Sequence, residues 1–159
     1  MVIKLTPPSP KRIPFTKDGY QNVLDEKAKL LAERPDAVEH LHKAREMGDL
    51  SENGYYKAAR ARLSGIDANL RRIERLVRLG RVVESAATDQ VGFGNTVVIA
   101  DGTREYEYKV VGGYESDPTN KTVSHISPIG KALLNKRVGE EITVYAPSGS
   151  RKYTIRTIR

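Results

Sequence analysis

The apolar positions of this chain change their spacing near residue 80. Upstream, Tyr56, Ala59, Leu63, Ile66, Leu70, Ile73 and Val77 recur at alternating steps of three and four, which places them on one narrow stripe of an α-helix. Tyr20, Leu24, Leu31, Val38 and Leu41 form a weaker seam in the preceding stretch, interrupted by Lys27 and Arg34, and Pro35 can begin a helical turn or introduce a kink. The residues around both seams are mostly Ala, Leu, Glu, Lys and Arg, the strong helix formers. Between them Gly48 suits a left-handed C-cap and Asp49 suits the N-cap that follows. Residues 16–80 therefore predict an antiparallel coiled-coil hairpin with 48–53 at its tip and a second arm of roughly 40 Å at 1.5 Å per residue.

Downstream the runs are short and alternate. Thr96–Ala100, the Asp101-Gly102 pair and residues 104–111 read as a β-hairpin. In it Tyr106, Tyr108 and Val110 share one face, and Glu105, Glu107 and Lys109 share the other. Residues 121–126, 142–146 and 152–158 look extended, whereas 128–134 fits a short helix with proline in its first turn. The fold class that follows is α+β in two domains: a helical hairpin over 16–80, then a small α+β domain over 84–159. Pro7, Pro8, Pro10 and Pro14 remove backbone donors from the first fifteen residues, so 1–15 reads as a flexible tail.

Composition narrows the partners. The chain has 159 residues of which 38% are hydrophobic, so its core is expected to be thin. With 27 Lys and Arg against 20 Asp and Glu, the net charge of +7 favours a polyanion such as nucleic acid, an acidic protein or a membrane surface. Most of this surplus falls in residues 1–80, which carry net +5, against +2 for 81–159. The absence of cysteine excludes disulfides, thiolate zinc sites, iron–sulfur clusters and a cysteine nucleophile. No apolar run approaches the eighteen or so residues of a membrane span, and the first residues lack the apolar core of a signal peptide. A cytoplasmic protein with no membrane partner is expected.

The side chains able to carry chemistry are few. His40 and His42 point to different faces of one predicted helix and His125 lies in the other domain, which argues against a histidine metal site. Gly92-Phe93-Gly94 lacks the third glycine and the strand-to-helix setting of a nucleotide loop. Ser127, Ser148 and Ser150 have no nearby acid and base, so turn roles suffice for them. The hairpin tip is the remaining cluster, and it has two readings. Asp49 and Glu52 have the spacing of a capping box. They also place two carboxylates at the end of a rod, where they could complete a Mg²⁺ site supplied by another macromolecule; alone they offer too few of the six oxygens this ion needs. Behind them, Lys57, Arg60, Arg62, Arg71, Arg72, Arg75, Arg78 and Arg81 face only Asp67 and Glu74, and Arg45 and Arg60 could flank the acidic tip.

The stretch Ala44-Arg45-Glu46-Met47-Gly48-Asp49-Leu50-Ser51-Glu52-Asn53, continuing to Tyr56, Ala58, Ala59 and Arg60, resembles the acidic-tip signature of the bacterial Gre transcript cleavage factors (GreA/GreB). Ser127-Pro128-Ile129-Gly130-Lys131-Ala132-Leu133-Leu134, followed by Val138-Gly139 and Pro147-Ser148-Gly149, is similar to the C-terminal domain of the same family. The resemblance covers residues 16–159. It departs at Tyr55, where many members carry a further acid, and at Gly54, where alanine is more usual.

The resemblance implies a coiled-coil hairpin followed by an FKBP-like domain that docks at the rim of the secondary channel of bacterial RNA polymerase. The hairpin would then reach the active centre, where Asp49 and Glu52 act in trans as the catalytic pair and share a Mg²⁺ held mainly by the polymerase. The factor alone would hold no cofactor, would be a monomer and would not itself be an enzyme. It activates cleavage of backtracked RNA by the polymerase. Arg45 and Arg60 would steer the nascent RNA 3′ end, and Ser127, Pro128 and Ile129 would face the polymerase. Two alternatives remain open: a channel regulator that inhibits without promoting cleavage, and a peptidyl-prolyl isomerase suggested only by the second domain's fold.

Overall fold

A computed structural model of the chain describes residues 11–47, 54–84 and 89–159. It divides into a helical unit, residues 11 and 21–79 among those described, and a second unit formed by residues 12–20 and 80–159.

The helical unit is built from α1 (Lys17–Glu46), whose first turn belongs to the second unit, and α2 (Gly54–Leu79). The expected seam of α2 holds at Ala59, Ile66, Leu70 and Ile73, all buried, while Leu63 is half-buried. At its end Leu76 takes the buried place expected for Val77.

The seam of α1 differs from the expected one. Val23, Ala37 and Ala44 are buried and Leu30 packs against the Ala37–Ile66–Leu70 cluster, so the positions recur every seven residues one step away from the residues read from sequence. Leu31 and Val38 instead lie 49% and 41% exposed. Small alanines at the seam allow two helices to approach closely, and size-weighted reading passes over them. Pro35 sits inside α1, which continues on both sides of it.

The second unit carries a five-stranded sheet. In chain order its strands are β3 (Thr96–Ala100), β4 (Glu105–Val111), β5 (Thr122–Ser124), β6 (Glu141–Ala146) and β7 (Gly149–Ile158), arranged β5-β4-β3-β7-β6. All neighbours are antiparallel except β4 and β5. The expected hairpin is present, with Val97 opposite Tyr108 and Ile99 opposite Tyr106. Its turn is held by Asp101, whose Oδ1 accepts from the Thr103 and Arg104 amides at 3.1 and 2.9 Å, and Gly102 takes φ of 94°. Those donors favour the ionised form and hold the Asp101 carboxyl down at about 2.

One face of the sheet and α3 (Pro128–Leu133) enclose the core of Val91, Val97, Ile99, Val110, Leu133, Ile142 and Ile155. Tyr106 and Tyr108 lie on this face, as the alternation requires. Burial of a side chain such as Ile99 or Ile155 contributes about 1.5–3 kcal/mol.

The same unit contains a parallel ribbon of β1 (Ile13–Phe15) and β2 (Gly80–Val82), with Ile13 opposite Gly80 and Phe15 opposite Val82. The flexible segment expected over 1–15 therefore does not extend to residues 13–15. Pro14 is tolerated because a two-stranded ribbon leaves the outer edge of each strand without a ladder partner, and Phe15 is fully buried. The proline-rich part, residues 1–10, lies outside the described residues.

Candidate functional site at the hairpin end and the Ser-Pro loop

Asp49 and Glu52 lie outside the described residues, as do Gly48 and Asn53, so the structure bears on the site through its two flanks. Ala44 is fully buried in the last turn of α1, and Ala59 is buried in the second turn of α2. Arg45 and Arg60 are exposed one residue beyond each of these alanines. On α1, Lys43 and Glu39 pair at 2.6 Å one turn apart; their hydrogen bond lowers the Glu39 pKa and raises that of Lys43.

Further along, three ion pairs cross between the helices: Arg62 with Asp36 at 2.9 Å, Arg34 with Asp67 at 2.7 Å and Arg72 with Glu26 at 3.0 Å. The hydrogen bond from Arg34 keeps the Asp67 carboxyl below its usual range. Such exposed pairs add little to stability, but they sort the arginines of α2 by face. Arg62 also donates to His40 Nδ1 at 2.9 Å, and His42 faces Glu46 at 3.2 Å, so the two histidines occupy separate clusters as their spacing requires.

Lys57, Arg60, Arg71, Arg75 and Arg78 fall within roughly 60° of one another at 100° per residue, on the side of α2 away from the seam. Arg71, Glu74, Arg75 and Arg78 line a shallow depression of about 320 Å³. The total basic excess is visible in the sequence; the division of the arginines into an edge that pairs with α1 and a stripe facing away from it requires the register of α1. Among the described residues no group of three His, Asp or Glu side chains could hold a metal ion.

In the second unit, Ser127, Pro128 and Ile129 begin α3, and the structure gives each a different setting. The Ser127 hydroxyl donates to the Ser124 carbonyl at 2.6 Å and accepts from the Gly130 amide at 3.1 Å, capping the helix. Pro128 is exposed at the first helical position, and Ile129 packs partly against the core. Sequence reading passes over the residue beside them: Ile126 is 60% exposed, and a Cβ on Gly113 would lie 3.5 Å from its Cδ1. Tyr114, 61% exposed, adjoins that glycine. An apolar residue just before a Ser-Pro helix start is the available signal for Ile126, and Tyr114 has none. His125 stands apart from the other histidines; its Nδ1 meets the Val111 carbonyl at 3.2 Å, and its ring meets Phe93 edge-on.

Two family models match the chain. Residues 13–82 match the family model described as transcription elongation factor, N-terminal, and residues 86–159 match transcription elongation factor, GreA/GreB, C-term. The chain is 40% identical over 140 residues to the transcription elongation factor GreA of a Nitratiruptor species, covering 86% of each chain. It is 38% identical over 154 residues to the GreA of Rhodospirillum rubrum, covering 94% of this chain and 98% of that one. Among solved structures, the GreA factor homolog 1 (Gfh1) protein of Thermus thermophilus matches at 24% identity and a TM-score of 0.45, over 94% of this chain and 99% of the other. No helix among the described residues is long and apolar enough to cross a membrane. With both halves of the chain matched in order and the curated relatives matched over most of their length, the chain belongs to the GreA/GreB family of transcription elongation factors.

Proposed function

We propose that this chain acts on backtracked RNA polymerase as a transcript cleavage factor, carrying Asp49 and Glu52 through the secondary channel to the polymerase active centre. The observation that carries the reading is the acidic pair itself, set within the family's tip signature and between two long helices whose nearest buried residues are Ala44 and Ala59. Carboxylates are the hard oxygen donors that Mg²⁺ prefers, and two of them suit an ion whose other ligands come from the polymerase and water. Bound there, the ion would supply charge neutralisation at the phosphodiester and a water nucleophile of lowered pKa. Asp49 and Glu52 contribute the charge that retains it and acceptors that orient the attacking water. Arg45 and Arg60 supply counter-charge to the RNA 3′ end, and the stripe from Lys57 to Arg78 continues that counter-charge along α2. Pro128 and the exposed Ile126 beside it supply the surface for the polymerase rim, with Ser127 and Ile129 shaping the helix start behind them. The factor activates the polymerase's own nuclease and has no reaction of its own.

The test adds the purified protein to stalled, backtracked elongation complexes and follows RNA length. The wild type is expected to shorten the RNA. A variant carrying Asp49→Asn and Glu52→Gln should lower the rate by roughly a hundredfold, the scale of losing preorganised charge from a transition state. Equal shortening by that variant overturns the role of the tip, and polymerase binding with no shortening by the wild type makes the protein an inhibitor of the channel.

A further inference from the structure

The parallel ribbon of β1 and β2 has two unlike edges. Phe15 bonds the peptide groups on either side of Val82, the Val83 amide donating to the Phe15 carbonyl at 2.8 Å. The amide and carbonyl of Val82 therefore turn to the outer side of β2, and the carbonyl of Pro14 turns to the outer side of β1. On β1 that edge is closed. Pro14 has no amide, and its carbonyl oxygen is so near Gly112 that a Cβ there would lie 2.4 Å from it. Among the described residues β2 has no strand neighbour but β1, and Val82 is 38% exposed. Its outward peptide groups are those of a strand edge able to pair with another chain.

The two faces of the ribbon differ as well. Phe15 shares a face with Val82 and is fully buried, its ring against Tyr20 and Tyr114. The opposite face carries Arg12, Pro14, Arg81 and Val83, and with Val82 and Glu84 these line a cavity of about 630 Å³. Pro14 and Val83 are half-buried and give it an apolar floor, while both arginines are exposed. No ion pair among the described residues engages Arg81. All six lining residues belong to the second unit.

We infer that the outer edge of β2 is a docking site for an extended acidic segment of another protein, which adds to the ribbon as a third strand. Main-chain pairing with Val82 supplies affinity for any extended peptide, and the arginines select its side chains. Every second side chain of the added strand falls on the arginine face, where a carboxylate meets planar guanidinium forks that bind it through two hydrogen bonds. The alternate side chains fall beside Val82 and suit valine or isoleucine. Glu84 repels a carboxylate beyond the end of β2, which confines the acidic stretch to the part beside Arg81. A phosphate backbone would use the arginines but leave the Val82 amide and carbonyl unmet, so a peptide fits this edge better than RNA does. The site draws on neither the acidic tip nor the Ser-Pro loop.

The probe is a fluorescein-labelled peptide of about eight residues alternating glutamate and valine, added to the full chain and read by fluorescence anisotropy. Saturable binding is expected, and it should weaken as salt rises. Two further peptides keep the charge and remove main-chain donors: one is N-methylated at the glutamates, the other at the valines. Parallel addition to β2 uses the glutamate amides and antiparallel addition the valine amides, so one of the two should bind about tenfold or more weakly and the other nearly as well as the parent. Arg81→Glu should weaken the parent peptide by a similar factor. Amide hydrogen exchange followed by NMR locates the strand. The Val82 amide should gain protection at saturation, whereas that of Val83, already bonded to Phe15, should change little. Equal affinity of the two methylated peptides, or a Val82 amide unprotected at saturation, overturns the inference, because the arginines are then attracting an anion without strand addition. Absence of binding by the parent peptide overturns it as well.

Discussion

Ser127 is committed inside its own chain before any partner arrives. Its hydroxyl bridges the Ser124 carbonyl and the Gly130 amide, and Gly130 must be glycine because a Cβ there would lie 2.0 Å from the Ser124 carbonyl oxygen, a backbone atom with little freedom to move. The Ser-Pro-Ile-Gly sequence is thus first a device for starting α3 under β5 and only then a surface. Ser127→Ala should lower the unfolding free energy by about 1–2 kcal/mol, the usual cost of a lost cap, read as a fall in the denaturation midpoint. Pro128→Ala removes an exposed ring and should cost less than about 1 kcal/mol, mainly by freeing the unfolded chain. A polymerase-binding defect from the second variant at unchanged folding would therefore report on docking, which the same defect from the first would not.

At the scale of elements, legibility follows side-chain size. The seam of α2 is readable because bulky residues occupy most of it, and it departs from the expected positions only at its end, where Leu76 is buried and Val77 half-buried. The seam of α1 is hidden because alanines hold it at residues 37 and 44, while Leu31 and Val38 face outward. The β-hairpin is legible to within a residue because alternation and an Asp-Gly turn agree there. The β1–β2 ribbon escapes sequence reading because three-residue strands joined in parallel across a whole helical hairpin leave no local pattern. The corrected register has a measurable consequence. Leu31→Gln, on a half-exposed side chain, should change stability by no more than about 0.5 kcal/mol in urea unfolding. Ala37→Leu, which inserts extra carbons where Ala37, Ile66 and Leu70 meet, should cost about 1–3 kcal/mol. The seam as read from sequence requires the opposite order.

For the whole molecule, the surplus of positive charge becomes specific only once the acids of α1 have chosen their partners. Asp36 and Glu26 engage Arg62 and Arg72, and Arg34 neutralises Asp67, so the basic residues on the far side of α2 from the seam form one stripe instead of a diffuse excess. No count of charges in the sequence could make that division, because it depends on which residues of α1 stand opposite α2. If the stripe tracks phosphates of a single strand, each contact releases counterions and contributes about 0.7 to the slope of log affinity against log salt. Replacing Lys57, Arg71 and Arg75 together by alanine should therefore reduce that slope, measured with a single-stranded RNA oligonucleotide, by about 2. Replacing Arg62 and Arg72, whose charges are already answered from α1, should change it much less. Equal losses from the two sets would mean that the ion pairs open on binding, and that α2 meets the strand with its whole circumference instead of one face.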